Sequence, residues 1–160
     1  MFSSTVRLAV LQDVEGWLAL AKEVEDLFGP MSDVPEFREA LAAAIEGGHA
    51  FTALRPSEKC LNSVTGGIVV SQEMNSIEWF VVSGAARGLG IGRQLLTAAL
   101  AHLDSAKSVS VQTFAPSCSE GLAARQLYMK FGFEDREPMG PNPAGVQTVL
   151  MVKQPHPKVG

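Results

Sequence analysis

From Val82 to Leu96 the chain reads Val-Ser-Gly-Ala-Ala-Arg-Gly-Leu-Gly-Ile-Gly-Arg-Gln-Leu-Leu, an apolar run that passes into glycines and then into a leucine-rich helical pattern. A helix beginning here exposes backbone N–H groups that have no intrahelical partner. Their partial positive charge favours an anion. Glycine lets the backbone approach a phosphate without a Cβ in the way, and Arg87 and Arg93 flank the turn with charge. The arrangement suits a pyrophosphate. Two common phosphate loops are excluded. A Walker loop needs a lysine that this stretch lacks. The dinucleotide fingerprint, counted from Gly88 and Gly90, needs a glycine where Arg93 stands, and it normally follows the first strand of its fold.

The order Arg87-Gly88-Leu89-Gly90-Ile91-Gly92 resembles the pyrophosphate-binding motif of the GNAT superfamily of N-acetyltransferases, Arg/Gln-x-x-Gly-x-Gly/Ala. Phe80-Val81-Val82 is similar to the family's splayed strand, whose backbone receives the pantetheine arm. Downstream, Leu122 to Phe133 resembles the second family hallmark, a helix ending in Tyr-x-x-x-Gly-Phe, with Tyr128, Gly132 and Phe133 in place and Ala124 and Leu127 at its small and apolar positions. The resemblance implies acetyl-CoA as cosubstrate, held by Phe80, Val81, Val82, Arg87, Gly88, Leu89, Gly90, Ile91, Gly92 and Arg93. It implies direct transfer to a primary amine in a ternary complex, without a covalent enzyme intermediate. The N–H of Val82 or a neighbour would polarise the thioester carbonyl. One departure is visible: many members carry Asn seven residues before the tyrosine, and here that place is Gly121. Ser117 and Ser119 are the neighbouring hydroxyls that would substitute.

Acyl transfer from a thioester needs a neutral amine, stabilisation of charge on the carbonyl oxygen and a proton for the leaving thiolate. Tyr128, the only tyrosine, occupies the family's general-acid place. With an unperturbed pKa near 10 such a group is protonated at neutral pH; its competing role is packing between helix and sheet. Glu78 shares strand parity with Phe80 and Val82 and is the candidate base, with Glu73 as the second candidate. A solvated or ion-paired carboxylate is the plainer role for both. The acceptor is expected against the first two helices and their connection, Glu25 to Met31, where carboxylates would attract a cationic amine and Phe28 and Met31 would form an apolar wall. Trp17 and Trp79 read as core or rim residues. His49, His102 and His156 are scattered and suggest no metal site. Cys118 has no nearby histidine to make it a nucleophile, and Cys60 completes no metal or redox spacing.

These groups need elements to position them. A strand is expected over Val6–Leu11, a helix from Val14 to Phe28 capped by Asp13, and a second helix capped by Ser32 or Asp33 that stops before Gly47-Gly48. Strands follow at Ala50–Leu54, Val64–Ser71 and Ile77–Val82, with a loop over 55–62. A helix over Ile91–Leu103, a strand over Val109–Phe114, a helix over Glu120–Phe131, a strand from Phe133 and a last strand over Val146–Val152 complete the chain. The alternation predicts α/β architecture, a mixed sheet with helices on its faces. With the resemblance this becomes a single-domain fold over residues 1–153, its sheet largely antiparallel, followed by a tail at 154–160. The 160 residues suit one domain, and 46% hydrophobic content can fill one core. No stretch is long and apolar enough to cross a membrane, and the start does not read as a signal peptide. A net charge of −4 without a basic stripe disfavours nucleic acid. A cytoplasmic setting fits the sparse cysteines. The apolar last strand and the sheet edge suggest a homodimer. A non-catalytic acyl-CoA-binding module is the alternative function.

Overall fold

Runs of β-branched and aromatic residues build the strands of the computed structural model, which describes residues 5–55 and 63–155: β1 Thr5–Leu8, β2 Ala50–Arg55, β3 Ser63–Ser71, β4 Ser76–Val82, β5 Val109–Phe114, β6 Phe133–Pro141 and β7 Gln147–Lys153. The helices are α1 Val14–Glu23, α2 Glu25–Phe28, α3 Pro35–Glu46, α4 Ile91–His102 and α5 Leu122–Lys130. The loop expected at 55–62 beyond Arg55, including Cys60, and the tail from His156 onward lie outside the described residues.

One sheet runs β1-β2-β3-β4-β5-β7-β6. Every neighbouring pair is antiparallel except β4 and β5. The mixed, largely antiparallel sheet flanked by helices is the expected architecture. Alternation along β3 separates two cores: Ile68 and Val70 pack with α4 and α5, through Ile91, Leu95, Leu96 and Tyr128. Val69 turns the other way, toward Trp17, Leu18, Leu41 and Ile45 of α1 and α3. Trp17, Leu95 and Leu96 are fully buried, and each such side chain contributes roughly 1.5–3 kcal/mol.

The structure revises five expectations. The first strand ends at Leu8, because the Asp13 carboxylate accepts from Val10 N–H at 2.9 Å and turns the chain into a short 3-10 segment. Asp13 holds the N-cap position of α1, but its side chain makes no cap bond to the helix. It anchors a network in which Trp17 Nε1 donates to Thr52 Oγ1, Thr52 donates to Asp13, and Arg7 pairs with Asp13 at 2.8 Å. The single helix expected over 14–28 breaks at Val24, whose ψ of 11° leaves the helical region. Just beyond, the Glu25 carboxylate accepts from Ser32 Oγ at 2.6 Å and from the Ser32 and Met31 N–H groups. Ser32 is thus committed to Glu25, and the N-cap of α3 is Val34, followed by Pro35 in the first turn. Finally, β7 is not a sheet edge: it lies between β5 and β6. Its apolar sequence reflects an interior strand, so it offers no edge for a second copy. The outer edge on this side is β6, which carries Glu134, Asp135, Arg136 and Glu137.

Candidate active site

The parallel contact between β4 and β5 spans two residue pairs, Ser76–Ser110 and Ile77–Val111. Beyond Ile77, β4 pairs only with β3, and beyond Val111, β5 pairs only with β7. The two strands form a fork. A cleft of about 350 Å³ lies at its open end, lined by Phe80, Val81 and Val82 on one arm and Phe114 on the other. The β4 backbone suits this place. Ser83 N–H donates to Thr65 O on β3 at 2.7 Å. Alternation in an antiparallel ladder then turns the Phe80 and Val82 N–H groups away from β3, into the fork.

The α4 N-terminus stands at one mouth of the cleft. Its N-cap is Gly90, with φ 78°, and no side chain caps it. A Cβ built on Gly88 or Gly90 meets nothing within 4 Å, so these glycines serve backbone conformation and leave open space rather than relieving internal crowding. Arg87, Gly88, Gly90, Ile91, Gly92 and Arg93 all line the cleft; Leu89 is half exposed and does not. Lys130, which sequence reasoning missed, joins them from α5. None of Arg87, Arg93 and Lys130 forms an ion pair among the described residues, and the cleft lining holds one carboxylate, Glu120. The missed α5 residues Ala123, Gln126, Leu127 and Lys130 recur at helical spacing, a signal that shows one face without saying what the face meets.

Gly121 is a packing requirement. A Cβ there would stand 2.5 Å from Phe114 Cβ, so asparagine does not fit. Ser117 and Ser119 are not in the cleft lining, and Ser119 Oγ instead donates to Glu120 at 3.2 Å. Cys118 is half-buried, with its thiol 3.5 Å from Glu120.

Tyr128 is 3% exposed, with its ring 5.8 Å from Phe80 and 5.3 Å from Phe133. Burial pushes its hydroxyl pKa well above the ordinary tyrosine value, so the group stays protonated through neutral pH. It lies behind Phe80 rather than in the cleft lining. Glu78 is exposed and its carboxylate accepts from Ser76 Oγ at 2.6 Å. The β3–β4 register shifts here: Val69 pairs with Trp79 and Val70 with Ile77, leaving Glu78 as the extra residue. A bulge interrupts strand alternation, so parity with Phe80 and Val82 does not carry Glu78 into the cleft. Glu73 lies in the turn before β4, at the closed end of the fork.

On the opposite side, Val24, Leu27 and Phe28 roof the cleft, and the Phe28 ring stands 5.0 Å from that of Phe114. Met31 packs against the cluster of Leu20, Val24 and Val81, outside the cleft lining. Two carboxylates of this region, Glu23 and Glu25, are engaged. Glu23 accepts from Ser83 Oγ at 2.9 Å and Gly84 N–H at 2.7 Å. The Ser32 hydroxyl, with the Ser32 and Met31 N–H groups, holds Glu25 below its ordinary pKa. Asn142 Nδ2 donates to Leu27 O at 2.7 Å, tying the β6–β7 turn to this roof. The His49 and His102 rings stand 5.9 Å apart, and no group of three metal-type ligands occurs among the described residues.

A sequence model described as an acetyltransferase (GNAT) domain matches residues 46–135. No curated protein matches by sequence. Solved structures share the fold at low identity. Ard1 from Thermoplasma volcanium superposes with a TM-score of 0.73 at 18% identity, over 97% of this chain and 99% of its own. The yncA protein of Salmonella typhimurium, solved with its cofactor acetyl-CoA, gives 0.69 at 16%, over 99% and 97%. A GNAT-family acetyltransferase from Bacillus cereus ATCC 10987 gives 0.68 at 15%, over 96% and 99%.

Proposed function

This chain belongs to the GNAT acetyltransferase family, and from that premise we propose that it transfers an acetyl group from acetyl-CoA to a primary amine. The observation that carries this reading is the β4–β5 fork with an uncapped helix N-terminus and, at its mouth, three cations that form no ion pair among the described residues. The amides from Gly88 to Gly92 bind the pyrophosphate, with Arg87, Arg93 and Lys130 adding charge. The Phe80 and Val82 N–H groups, turned into the fork, bond the pantetheine arm and polarise the thioester carbonyl. Acetyl-CoA supplies an activated acyl group that an amine attacks directly. Val24, Leu27 and Phe28 shield the acceptor side from water. Tyr128, kept protonated by burial, is the donor we assign to the departing thiolate; because it lies behind Phe80, it reaches the sulfur only when that ring turns aside. Glu78 stands outside the cleft, so the proton it takes from the amine passes through water.

The test is release of free thiol from acetyl-CoA over a panel of amines, together with calorimetry of CoA. Binding and amine-dependent release support the enzyme. Binding without release from any amine marks an acyl-CoA-binding module, and absence of binding sinks both.

A further inference from the structure

We propose that Asn75 is a positioning residue that sets the angle of the β4–β5 fork and so the fit of acetyl-CoA, an inference that rests on reading the fork as the cofactor cleft. Asn75 ends the β3–β4 turn, is 6% exposed and holds φ at 50°, a left-handed conformation that asparagine tolerates better than most residues. Its side chain reaches across to the connection between α4 and β5. Oδ1 accepts from Asp104 N–H at 2.9 Å, and Nδ2 donates to Asp104 O and Ser108 O, both at 3.0 Å. Its carbonyl accepts from Ser110 N–H at 3.4 Å.

These bonds lie directly beside Ser76–Ser110 and Ile77–Val111, the only ladder pairs that join β4 to β5. The half of the sheet formed by β1 to β4 meets the half formed by β5, β7 and β6 at this one short seam. Two parallel pairs alone define an angle poorly. Asn75 adds three side-chain bonds at the apex and makes the joint stiff. From Ile77 to Val82 the β4 arm extends about 17 Å at ~3.3 Å per residue. A rotation of about 5° at the apex would therefore move the open end by roughly 1.5 Å, and misplacement by ~1 Å can cost on the order of 10²-fold in rate. A residue far from the cleft thereby controls whether the Phe80 and Val82 amides and the α4 N-terminus meet one ligand together.

Two variants separate the contributions. Asn75→Gly tolerates the positive φ and removes all three side-chain bonds. Asn75→Asp keeps the acceptor for Asp104 N–H and places a carboxylate against two carbonyls. In folded protein at low temperature, both should raise the CoA Kd and the KM for acetyl-CoA about tenfold or more, while the KM for the amine moves less. Leu41→Ala, in the α1–α3 core, serves as a control that lowers Tm without touching the fork, and its CoA affinity should match wild type. An affinity in Asn75→Gly equal to wild type overturns the proposal. Hydrogen exchange on the wild type gives a readout independent of the variants. CoA should slow exchange at the Asp104 and Ser110 amides, which contact Asn75 and do not line the cleft; unchanged exchange there overturns it as well. Failure of the wild type to bind CoA would instead remove the cleft reading itself, and the role of Asn75 with it.

Discussion

Tyr128 and Gly90 are the residues on which the proposed chemistry is most exposed to test. Tyr128→Phe keeps the ring between Phe80 and Phe133 and removes only the hydroxyl. Positioned acid catalysis is worth about 10²–10⁴-fold, so kcat should fall by that order while KM for acetyl-CoA moves little. The loss should shrink with an acyl donor whose leaving group is better. Full kcat in Tyr128→Phe, with chemistry shown to be rate-limiting, would make the tyrosine a packing residue. At Gly90, φ of 78° strains any L side chain although the space beside it is open. Gly90→Asn and Gly90→Asp have nearly the same shape and backbone strain, and only the second adds negative charge at the proposed phosphates. CoA affinity by calorimetry should drop about tenfold further in the aspartate variant, a difference of ~1.4 kcal/mol. Equal affinities for the two would place the pyrophosphate elsewhere.

Among the elements, α5 is tied to β6 by an ion pair as well as by its apolar packing. Arg125 is 5% exposed and grips Asp135 on β6 through two bonds, at 2.8 and 2.7 Å, while also donating to Phe114 O on β5 at 3.3 Å. It therefore fixes the helix that bears Tyr128 against the β5 arm of the fork. Arg125→Met should cost about 2 kcal/mol in denaturant unfolding, between surface-pair and buried-pair values, because Asp135 is half exposed. The hydrogen bonds and charge of Arg125 hold the Asp135 carboxyl below its usual range. A depressed folded pKa stabilises above the unfolded value and loses that contribution as pH falls through the folded one. The stability gap between wild type and Asp135→Asn should be full at neutral pH and close below the unfolded aspartate value of about 3.9. A gap that persists into acid would mean that the pair contributes through shape rather than charge.

For the whole molecule, the two half-sheets meet at a short seam, and a ligand spanning the fork should bind the folded chain only. Saturating CoA, at about 100-fold over its Kd, should then add ~2.7 kcal/mol and raise Tm by roughly 5–10 °C. Adenosine 3′,5′-bisphosphate, which has no pantetheine arm, should raise it less. Equal shifts for the two ligands would mean that the arm does not lie in the fork. Association through a sheet edge would have to use β1 or the charged β6, and charged edges oppose strand pairing. Among the described residues no helix is long and apolar enough to cross a membrane.

Local chemistry was legible in the sequence. The glycine turn opening α4, the apolar run of β4 and the helix carrying Tyr128 are set by residues near one another in the chain, where propensity and turn chemistry act directly. Long-range contacts decided the rest. The break at Val24 follows from Glu25 reaching Ser32, which also removes Ser32 as the cap of α3, and the Asp13 side chain turns to Val10 rather than to α1. Glu78 leaves the expected face because β4 bulges against β3. Gly121 is dictated by Phe114, and β7 is apolar because β6 covers its far edge. The fork itself has no local signature: whether two strands stay paired or part depends on which partners each finds on its other side, and only the assembled sheet supplies them.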